Sequence, residues 1–289
     1  MDLCSLREIR ALLDRHGFRF SKKLGQNFLI APWVPMEIAV AAKIDDTCGV
    51  LEIGPGVGCL TVQLARIAGK VASVELDRAL LPVLAETLRD TPNATVIHGD
   101  ILQTDLAALV AEHFSGLRPV VCANLPYQIT TPILTRFLES GLFSNITVMV
   151  QREVARRIAA QPGTADYGAF SVFAAYHAKA NLLFDVPPEC FYPAPRVHSS
   201  VIELRPYATP PITTPRAPLF RIVKAAFSQR RKTLVNCLSA ALPAVPKADF
   251  AKILDGLGHN PNIRGETLSL QAFAALTDTL IKRGILLCD

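Results

Sequence analysis

The 289-residue sequence lacks three features that would each place it in a different class of protein. It contains no run of about eighteen apolar residues, which argues against a membrane-spanning helix. Its first residues, MDLCSLREIRALLDRHGF, mix acids and bases on a helical repeat, which is not typical of a secretory signal. Its seven cysteines are scattered and include no C-x-x-C pair, which argues against a disulfide framework and against a zinc site. We therefore expect a cytoplasmic protein with reduced thiols.

Charge is also scarce, and acidic charge is missing from one long interval. Charged residues make up 19% and apolar residues 50% of the chain, which is typical of a globular protein and not of a disordered one. The net charge is +5, and no acidic residue occurs between Glu203 and Asp249, although eight basic residues do. A solvated basic helix face is one explanation, but so long an acid-free interval favours binding of a polyanion.

The order of apolar runs predicts two domains. Between residues 48 and 160, strand-like runs such as CGVLEIG and RPVVCAN alternate with amphipathic helical stretches, which predicts a parallel sheet covered by helices on both faces. The later runs NLLFDV and SSVIELR predict an antiparallel pair at one edge of that sheet. Prolines in residues 207–218 mark a boundary, after which only helical patterns occur. We predict domains at residues 1–207 and 208–289.

A glycine-rich segment, LEIGPGVGCLT, follows the first strand of this sheet and opens a helix. A dinucleotide fingerprint requires G-x-G-x-x-G, but the position of its last glycine is occupied by Cys59. The loop beginning at Gly54 would let a ligand approach the backbone closely without cradling a pyrophosphate. A tight turn that binds nothing is the alternative.

Two acids follow at the ends of the next two strands. Glu75, about 20 residues after the first glycine, is placed to accept hydrogen bonds from both hydroxyls of a ribose. Asp100 could accept from an adenine amino group, with Ile101 covering the ring. Each acid alone is more commonly an exposed strand-end carboxylate. Because all three signals fall at the carboxyl ends of successive strands, together they favour a nucleoside ligand without pyrophosphate, such as S-adenosylmethionine.

Eight motifs stand in order along nearly the whole chain: KKLGQNFL (22–29), LEIGPGVG (51–58), VELD (74–77), GDI (99–101), NLPY (124–127), QREVARRI (151–158), FYPAPRVHSSV (191–201) and AFSQRRKTL (226–234). With this set the sequence resembles the ribosomal RNA adenine-N6,N6-dimethyltransferases, particularly the bacterial small-subunit enzymes. The resemblance implies a Rossmann-like class I methyltransferase sheet of the α/β class with an antiparallel edge, followed by a small all-helical C-terminal domain. It also implies S-adenosylmethionine as cofactor and dimethylation of two adjacent adenosines near the 3′ end of 16S rRNA.

The NLPY motif supplies the residues we predict to be catalytic: Asn124, Leu125, Pro126 and Tyr127. The N6 amine of adenine is a weak nucleophile, because its lone pair is delocalised into the ring. The Asn124 side-chain carbonyl and the Leu125 backbone carbonyl would accept its hydrogens and let the nitrogen become pyramidal. Pro126 would fix the turn, and Tyr127 would offer a face on which a flipped base can stack. Methyl transfer would then proceed in line.

The resemblance assigns further residues to the cofactor, the base and the RNA. Asn27 and Leu29 would contact the methionine part of the cofactor, with Gly54, Glu75, Asp100 and Asn124 completing its site. Phe191 would be a second aromatic of the base pocket, although an edge-strand core ring is an equally good explanation. Arg230, Arg231 and Lys232 would bind RNA phosphates. The expected partner is 16S rRNA in the assembling small subunit, and the protein is expected to be a monomer that binds neither a metal nor a membrane.

Four other functions stay open at this point. A DNA adenine methyltransferase or a large-subunit RNA methylase would carry the same NLPY turn. An RNA-binding assembly factor could keep the fold after losing turnover, although such a protein need not keep the glycine loop, both acids and NLPY together. A nicotinamide-dependent dehydrogenase is disfavoured by the glycine spacing.

Overall fold

The computed structural model describes residues 1–21 and 24–287, and the chain divides into two compact units. The first unit comprises residues Met1–Ala155 and Ala180–Pro206, and the second comprises Arg156–Lys179 and the chain from Tyr207 onward. The division at Tyr207 lies next to the predicted boundary. Residues 156–179, however, belong to the second unit and not to the first domain as predicted. These residues lie in the sequence between two strands of the sheet, so the sequence suggested that they belong to the first domain. Their packing partners lie far away in the sequence, and no local pattern could identify them.

The strands of the described chain form a large sheet and a small one. In the large sheet the order is β4-β3-β2-β5-β6-β9-β7, and β1 pairs with β8 in the small one. The strands are β1 (Phe28–Leu29), β2 (Cys48–Ile53), β3 (Lys70–Glu75), β4 (Ala94–His98), β5 (Arg118–Asn124), β6 (Ile146–Gln151), β7 (Ala178–Val186), β8 (Phe191–Tyr192) and β9 (Ser199–Pro206).

The helices are α1 (Leu6–Arg15), α2 (Trp33–Ala41), α3 (Cys59–Ala65), α4 (Leu81–Thr87), α5 (Leu106–His113), α6 (Thr130–Ser140), α7 (Arg152–Ala159), α8 (Ala169–His177), α9 (Arg216–Ala226), α10 (Leu234–Ala241), α11 (Lys247–Gly256) and α12 (Leu270–Lys282). Several begin where a short polar side chain accepts a hydrogen bond from the first helical turn. Ser5 caps α1 through the amide of Glu8, and Asp105 caps α5 through two amides.

The large sheet is parallel except where β9 enters it. Every residue of β2 is buried, as expected for a strand covered on both faces, and β2 pairs in parallel with β3 and β5. Parallel pairing continues from β3 to β4 and from β5 to β6, whereas β9 is antiparallel to β6, with β7 at the edge beside it. This confirms the predicted fold class, including its antiparallel edge.

The strand order places a crevice beside β2. The chain passes from β2 to β3 and β4 on one side, and then returns to place β5 on the other side of β2. Helices that follow β2 and β5 therefore lie on opposite faces of the sheet, and a gap opens at the carboxyl ends of these two strands. Open α/β sheets bind their ligands at such a point.

The second unit is built from helices around its own apolar core. Val172 and Tyr176 of α8 lie in the same buried cluster as residues of α9, α10, α11 and α12. The hydroxyl of Tyr167 donates a hydrogen bond to the carbonyl of Leu268 at 2.9 Å. These contacts explain why residues 156–179 belong to this unit. Across the described chain, no helix combines the length and apolar character required to cross a bilayer.

Candidate active site

A cavity of about 280 Å³ lies in the first unit, at the carboxyl ends of β2, β3, β4 and β5. All the residues predicted to be catalytic or cofactor-binding line it. The residues that line the cavity fall within five segments of the chain, which are residues 24–29, 52–60, 74–80, 99–101 and 124–129. Strand-end positions that are far apart in the sequence thus meet in one place. Lys22 and Lys23, which open the first of the family motifs, lie outside the described residues.

The glycine loop after β2 forms one wall of the cavity, and all three of its glycines adopt a left-handed backbone. The φ angles of Gly54, Gly56 and Gly58 are +64°, +62° and +90°, in a region that residues with a Cβ rarely adopt. The Gly54 amide donates to the carbonyl of Val74 at 2.9 Å, which ties the loop to β3. A Cβ at Gly56 would lie 3.0 Å from the ring of Phe28. The loop therefore needs glycine for its conformation and for its close packing.

Glu75 ends β3 with its carboxyl group 5% exposed at the cavity. Its Oε1 accepts a hydrogen bond of 2.7 Å from the amide of Asp77. Burial raises the pKa of Glu75 to about 7, because the charged form loses its hydration. A ligand that donates hydrogen bonds to this carboxyl would favour the ionised form and replace part of that lost hydration.

Glu52, on β2, is a second buried carboxyl at the cavity wall. Its Oε2 accepts hydrogen bonds from the hydroxyls of Thr61, at 2.7 Å, and Ser73, at 2.6 Å. Burial, and to a smaller extent the charge of Glu75, raises the pKa of Glu52 to about 7. Both donors belong to the protein itself, so Glu52 has a structural role: it links β2 to Ser73 of β3 and to Thr61 of α3.

Asp100 begins the loop that follows β4, and its carboxyl group shapes that loop. Oδ1 accepts from the amide of Leu102 at 2.9 Å, and Oδ2 accepts from the side chain of Gln103 at 3.2 Å. Ile101 is 4% exposed and lines the cavity as an apolar surface. Asp100 thus has a structural role as well as a position suited to an adenine amino group.

Arg136 was missed by the sequence analysis. Its guanidinium group donates hydrogen bonds from α6 to the backbone carbonyls of Leu102 and Thr104, and so holds the loop that carries Asp100 and Ile101. No local pattern could have indicated this contact, since Arg136 lies within an ordinary amphipathic helix and its partners are backbone atoms of a distant segment.

The NLPY turn forms the opposite wall of the cavity, with Asn124 at the end of β5. The Oδ1 atom of Asn124 is buried and accepts no hydrogen bond within residues 1–21 and 24–287. The Leu125 amide donates to the carbonyl of Met149 at 3.0 Å, which fixes the turn onto β6. Because Asn124 also lines the cavity, its Oδ1 is placed to accept a hydrogen bond from a donor bound there.

Pro126 and Tyr127 complete this wall. The Pro126 carbonyl accepts from the hydroxyl of Thr130 at 3.1 Å, and this bond closes the turn into α6. The hydroxyl of Tyr127 lies 2.5 Å from the Oγ atom of Ser199, and its ring is partly exposed at the cavity.

Asn27 and Leu29 line the cavity, whereas Phe191 does not. The Asn27 side-chain amide donates to the carbonyl of Gly25 at 2.9 Å. Leu29 lies in β1 opposite Phe191 of β8. The Phe191 ring is 2% exposed and packs in the apolar core, outside the cavity lining. This position favours the core explanation of Phe191, because its place on a short buried strand turns the ring inward; its assignment to the base pocket stays a prediction.

The predicted RNA-binding residues belong to the second unit. Arg230, Arg231 and Lys232 are exposed in the turn between α9 and α10, which we call the basic turn. One of them is anchored within its own unit, since the Arg230 guanidinium donates to the carbonyl of Ala165 at 3.2 Å. The exposure of three adjacent cations is the property that contact with phosphate requires.

The cavity fits S-adenosylmethionine better than it fits a dinucleotide. Among its described lining residues, Glu52, Glu75 and Asp100 carry carboxyl groups and none carries a lysine or arginine side chain. An acidic wall suits a cationic sulfonium ligand and opposes a pyrophosphate. The close-packed glycine loop permits the backbone approach that a nucleoside needs, and the unpaired Asn124 Oδ1 provides an acceptor for a donor on a ligand or substrate.

Comparison with known proteins agrees with this chemistry. The chain matches the model of the family "Ribosomal RNA adenine dimethylase" over residues 17–271. It is 44% identical over 276 residues to the ribosomal RNA small subunit methyltransferase A of Alkaliphilus metalliredigens, covering 95% of this chain and 96% of the relative. It is 43% identical over 285 residues to the protein of the same name from Geobacillus thermodenitrificans, covering 97% of each.

Two solved structures are also similar. A dimethyladenosine transferase from Plasmodium falciparum has a TM-score of 0.75 and 27% identity, with 89% of this chain and 98% of that chain covered. The 23S rRNA methyltransferase ErmE has a TM-score of 0.68 and 26% identity, with 88% and 99% covered. The family model that matches residues 17–271, together with relatives that are 43% and 44% identical over nearly the whole chain, shows that the chain belongs to the ribosomal RNA adenine dimethylase family.

Proposed function

We propose that the chain uses S-adenosylmethionine to dimethylate N6 of two adjacent adenosines near the 3′ end of 16S rRNA in the assembling small ribosomal subunit. The family match and the names of the relatives support rRNA adenine dimethylation. Identity supports the small subunit, since it is 44% to a small subunit methyltransferase and 26% to the 23S rRNA enzyme. The observation that carries the proposal is the buried, unpaired Asn124 Oδ1 in an acidic cavity.

Different residues of the cavity are proposed to contact different parts of the cofactor. Glu75 would accept hydrogen bonds from the ribose hydroxyls, Asp100 would accept from the adenine amino group, and Ile101 would cover the ring. Asn27 and Leu29 would contact the methionine part. Bound S-adenosylmethionine supplies the methyl group, which it carries on a positively charged sulfur.

Asn124 is proposed to prepare the nucleophile. Its Oδ1 would accept a hydrogen of the target N6 amine, and the Leu125 carbonyl would accept the other. Both bonds favour a pyramidal nitrogen with a localised lone pair. The acceptor is already in place, because the bond from the Leu125 amide to Met149 fixes the backbone of the turn. An acceptor fixed in advance requires no reorganisation when the amine reacts.

Tyr127 and Pro126 are proposed to place the base. Adenine inside a helix cannot bring its N6 amine to a side chain, so the base must leave its stack and rest on another surface. The Tyr127 ring at the cavity offers that surface, and stacking on an aromatic ring contributes roughly 1–3 kcal/mol per base. Pro126 restricts the turn that joins this ring to Asn124, so that one stacked base would meet one acceptor.

The basic turn is proposed to supply affinity for RNA through phosphate contacts. Such contacts position a nucleic acid without reading its sequence. Recognition of a folded RNA depends on a shaped surface, and this is why an assembling subunit is the proposed substrate in place of a short RNA.

The proposal is tested by methyl transfer from labelled S-adenosylmethionine to immature small subunits, followed by digestion and identification of the modified nucleosides. Dimethyladenosine at two neighbouring positions is the expected product. Parallel reactions contain large-subunit RNA and adenine-containing DNA, and preferential methylation of either would replace the proposed substrate. Tight subunit binding without any transfer would instead support an assembly factor.

Asn124→Ala tests the proposed chemistry separately from binding. We expect the subunit to bind as in the wild type while the transfer rate at saturating cofactor falls by roughly 10²–10³-fold, the loss found when one preorganised hydrogen-bonding group is removed from an active site. Asn145→Ala is a matched control, because Asn145 is another buried asparagine with an unpaired Oδ1 but lies outside the cavity. Transfer by Asn124→Ala at a rate close to that of Asn145→Ala would contradict the mechanism.

A further inference from the structure

The hydroxyl of Tyr127 has a protein partner, which a ring used only for stacking does not need. Its oxygen lies 2.5 Å from the Oγ atom of Ser199, and Ser199 is 0% exposed. Tyr127 also lines the cavity. The phenol therefore reaches into the protein and bonds to a hydroxyl that is shielded from water.

The sheet explains how two residues so distant in sequence come to meet. Ser199 is the first residue of β9 and pairs with Gln151, the last residue of β6. Since β9 is antiparallel to β6, it begins at the edge where β5 and β6 end. Asn124 is the last residue of β5, so this antiparallel strand places a serine hydroxyl beside the NLPY turn. A parallel strand in the same place would end there instead, with a loop in place of the fixed serine.

Both ends of the Tyr127 side chain are thus fixed. At the backbone end, the Pro126 carbonyl accepts from Thr130 and closes the turn that holds residue 127. At the far end, the hydroxyl is held by Ser199. A ring that is held only at its backbone end can swing about the χ1 bond, whereas a hydrogen bond at the hydroxyl also fixes the direction of the ring's long axis. Burial also raises the pKa of the Tyr127 hydroxyl, so the group remains a neutral phenol able to donate or accept this bond.

We propose that Ser199 is a positioning residue, whose hydroxyl holds the Tyr127 ring at the position where the target adenine stacks. The inference rests on the proposed function, because it requires that a base stacks there. A stacked base takes its position from the ring beneath it, and the N6 amine must come within hydrogen-bonding distance of Asn124 Oδ1. A displacement of about 1 Å at a reacting atom can cost as much as 10²-fold in rate. The hydroxyl bond therefore controls the reaction through Tyr127 without touching substrate.

The test compares Ser199→Ala, Tyr127→Phe and the double variant in single-turnover transfer to immature subunits. Each single variant removes the same bond, and we expect a three- to tenfold lower rate, the loss that corresponds to one neutral hydrogen bond of about 1 kcal/mol. The double variant should be no slower than the slower single variant, since the bond can be lost only once. Cofactor affinity should be unchanged in all three.

Ser200→Ala is the matched control for a structural effect. Ser200 is the next residue of β9 and is 2% exposed, but its hydroxyl donates to Asp185 and not to a tyrosine. We expect its transfer rate, expressed per amount of folded protein, to equal that of the wild type. The unfolding midpoint of each variant shows whether it is fully folded under the assay conditions. Equal rates for Ser199→Ala and Ser200→Ala, or rate losses that multiply in the double variant, would overturn the inference.

Two further outcomes are distinguishable. If Ser199→Ala fails to fold, Tyr127→Phe still removes the bond, because it removes the tyrosine hydroxyl and leaves Ser199 in place. A wild-type rate for Tyr127→Phe would then overturn the inference. A wild-type protein that transfers no methyl group to subunits would refute the proposed function itself. Transfer by the wild type together with unaffected variants would refute only the role of Ser199.

Discussion

Replacing Glu52 by glutamine should make the stability of the first unit less dependent on pH. The carboxyl group of Glu52 is 1% exposed, and burial raises its pKa from 4.5 to about 7. The protonated carboxyl is therefore the form that the folded protein prefers. Glutamine has nearly the same shape, and its carbonyl can still accept from Thr61 and Ser73, so Glu52→Gln imitates the protonated form at every pH.

The magnitude follows from linkage between protonation and folding. A pKa raised from 4.5 to about 7 corresponds to about 3 kcal/mol, at about 1.4 kcal/mol per pKa unit. Because the folded pKa lies above the unfolded one, the folded state binds more protons in the interval between them. The stabilisation is fully present below pH 4.5 and is lost as pH rises to 7. The wild type should therefore lose about 3 kcal/mol relative to Glu52→Gln across that interval.

Trp33 provides the assay, since it is the single tryptophan of the chain and belongs to the first unit. Urea unfolding followed by its fluorescence, from pH 4.5 to 8.5, gives the free energy of unfolding for both proteins. Titratable groups that both proteins share contribute equally to the two curves, so their contribution cancels in the difference. Glu153→Gln, which neutralises an exposed carboxyl of the same unit, is the control for the loss of one negative charge. A constant difference between wild type and Glu52→Gln would refute the reasoning.

Three further outcomes are expected. Replacing the three residues of the basic turn by alanine should reduce the slope of log affinity for subunit RNA against log salt by about 2, measured by filter binding, and an unchanged slope would place the phosphate contacts elsewhere. The affinity for S-adenosylmethionine, measured by calorimetry, should rise from pH 5.5 and level off above about 7, because Glu75 accepts hydroxyl donors better when ionised, and Glu75→Gln should remove this dependence. Gly56→Ala should weaken cofactor binding at least tenfold, since its φ is +62° and its Cβ would lie 3.0 Å from the ring of Phe28; wild-type affinity would contradict the close packing of the loop.

The large sheet could be predicted because its strands are marked by local patterns. The run CGVLEI is apolar apart from Glu52 and shows no alternation, and all six residues are buried in a parallel strand. The run SSVIELR became β9, beside β7 at the edge. By contrast, β1 and β8 have two residues each and exist only because they pair with one another. Pairs so short carry no periodicity that a sequence can show.

The candidate site was predictable for a related reason. Its residues stand at strand ends, and parallel strands bring their carboxyl ends together at one edge. Placing strands in sequence thus placed Glu75, Asp100 and Asn124 near one another. Arg136 and Ser199 were missed because each acts through a partner that is distant along the chain. For Phe191 the motif alone could not decide between the base pocket and the core. The structure places the Phe191 ring in the core.

The distribution of charge in the cavity explains why the residue at position 124 is an asparagine. Glu75 and Asp100 lie at the ends of β3 and β4, where we place the nucleoside, and their charges attract a cationic ligand. The sulfonium charge is concentrated before transfer and spread in the transition state. A carboxylate beside the reacting amine would stabilise the first more than the second, and so would strengthen binding while slowing the reaction. The neutral Oδ1 of Asn124 accepts the amine's hydrogen without that cost. Acidic residues at the binding end and an amide at the reacting end therefore satisfy two opposite requirements within one cavity.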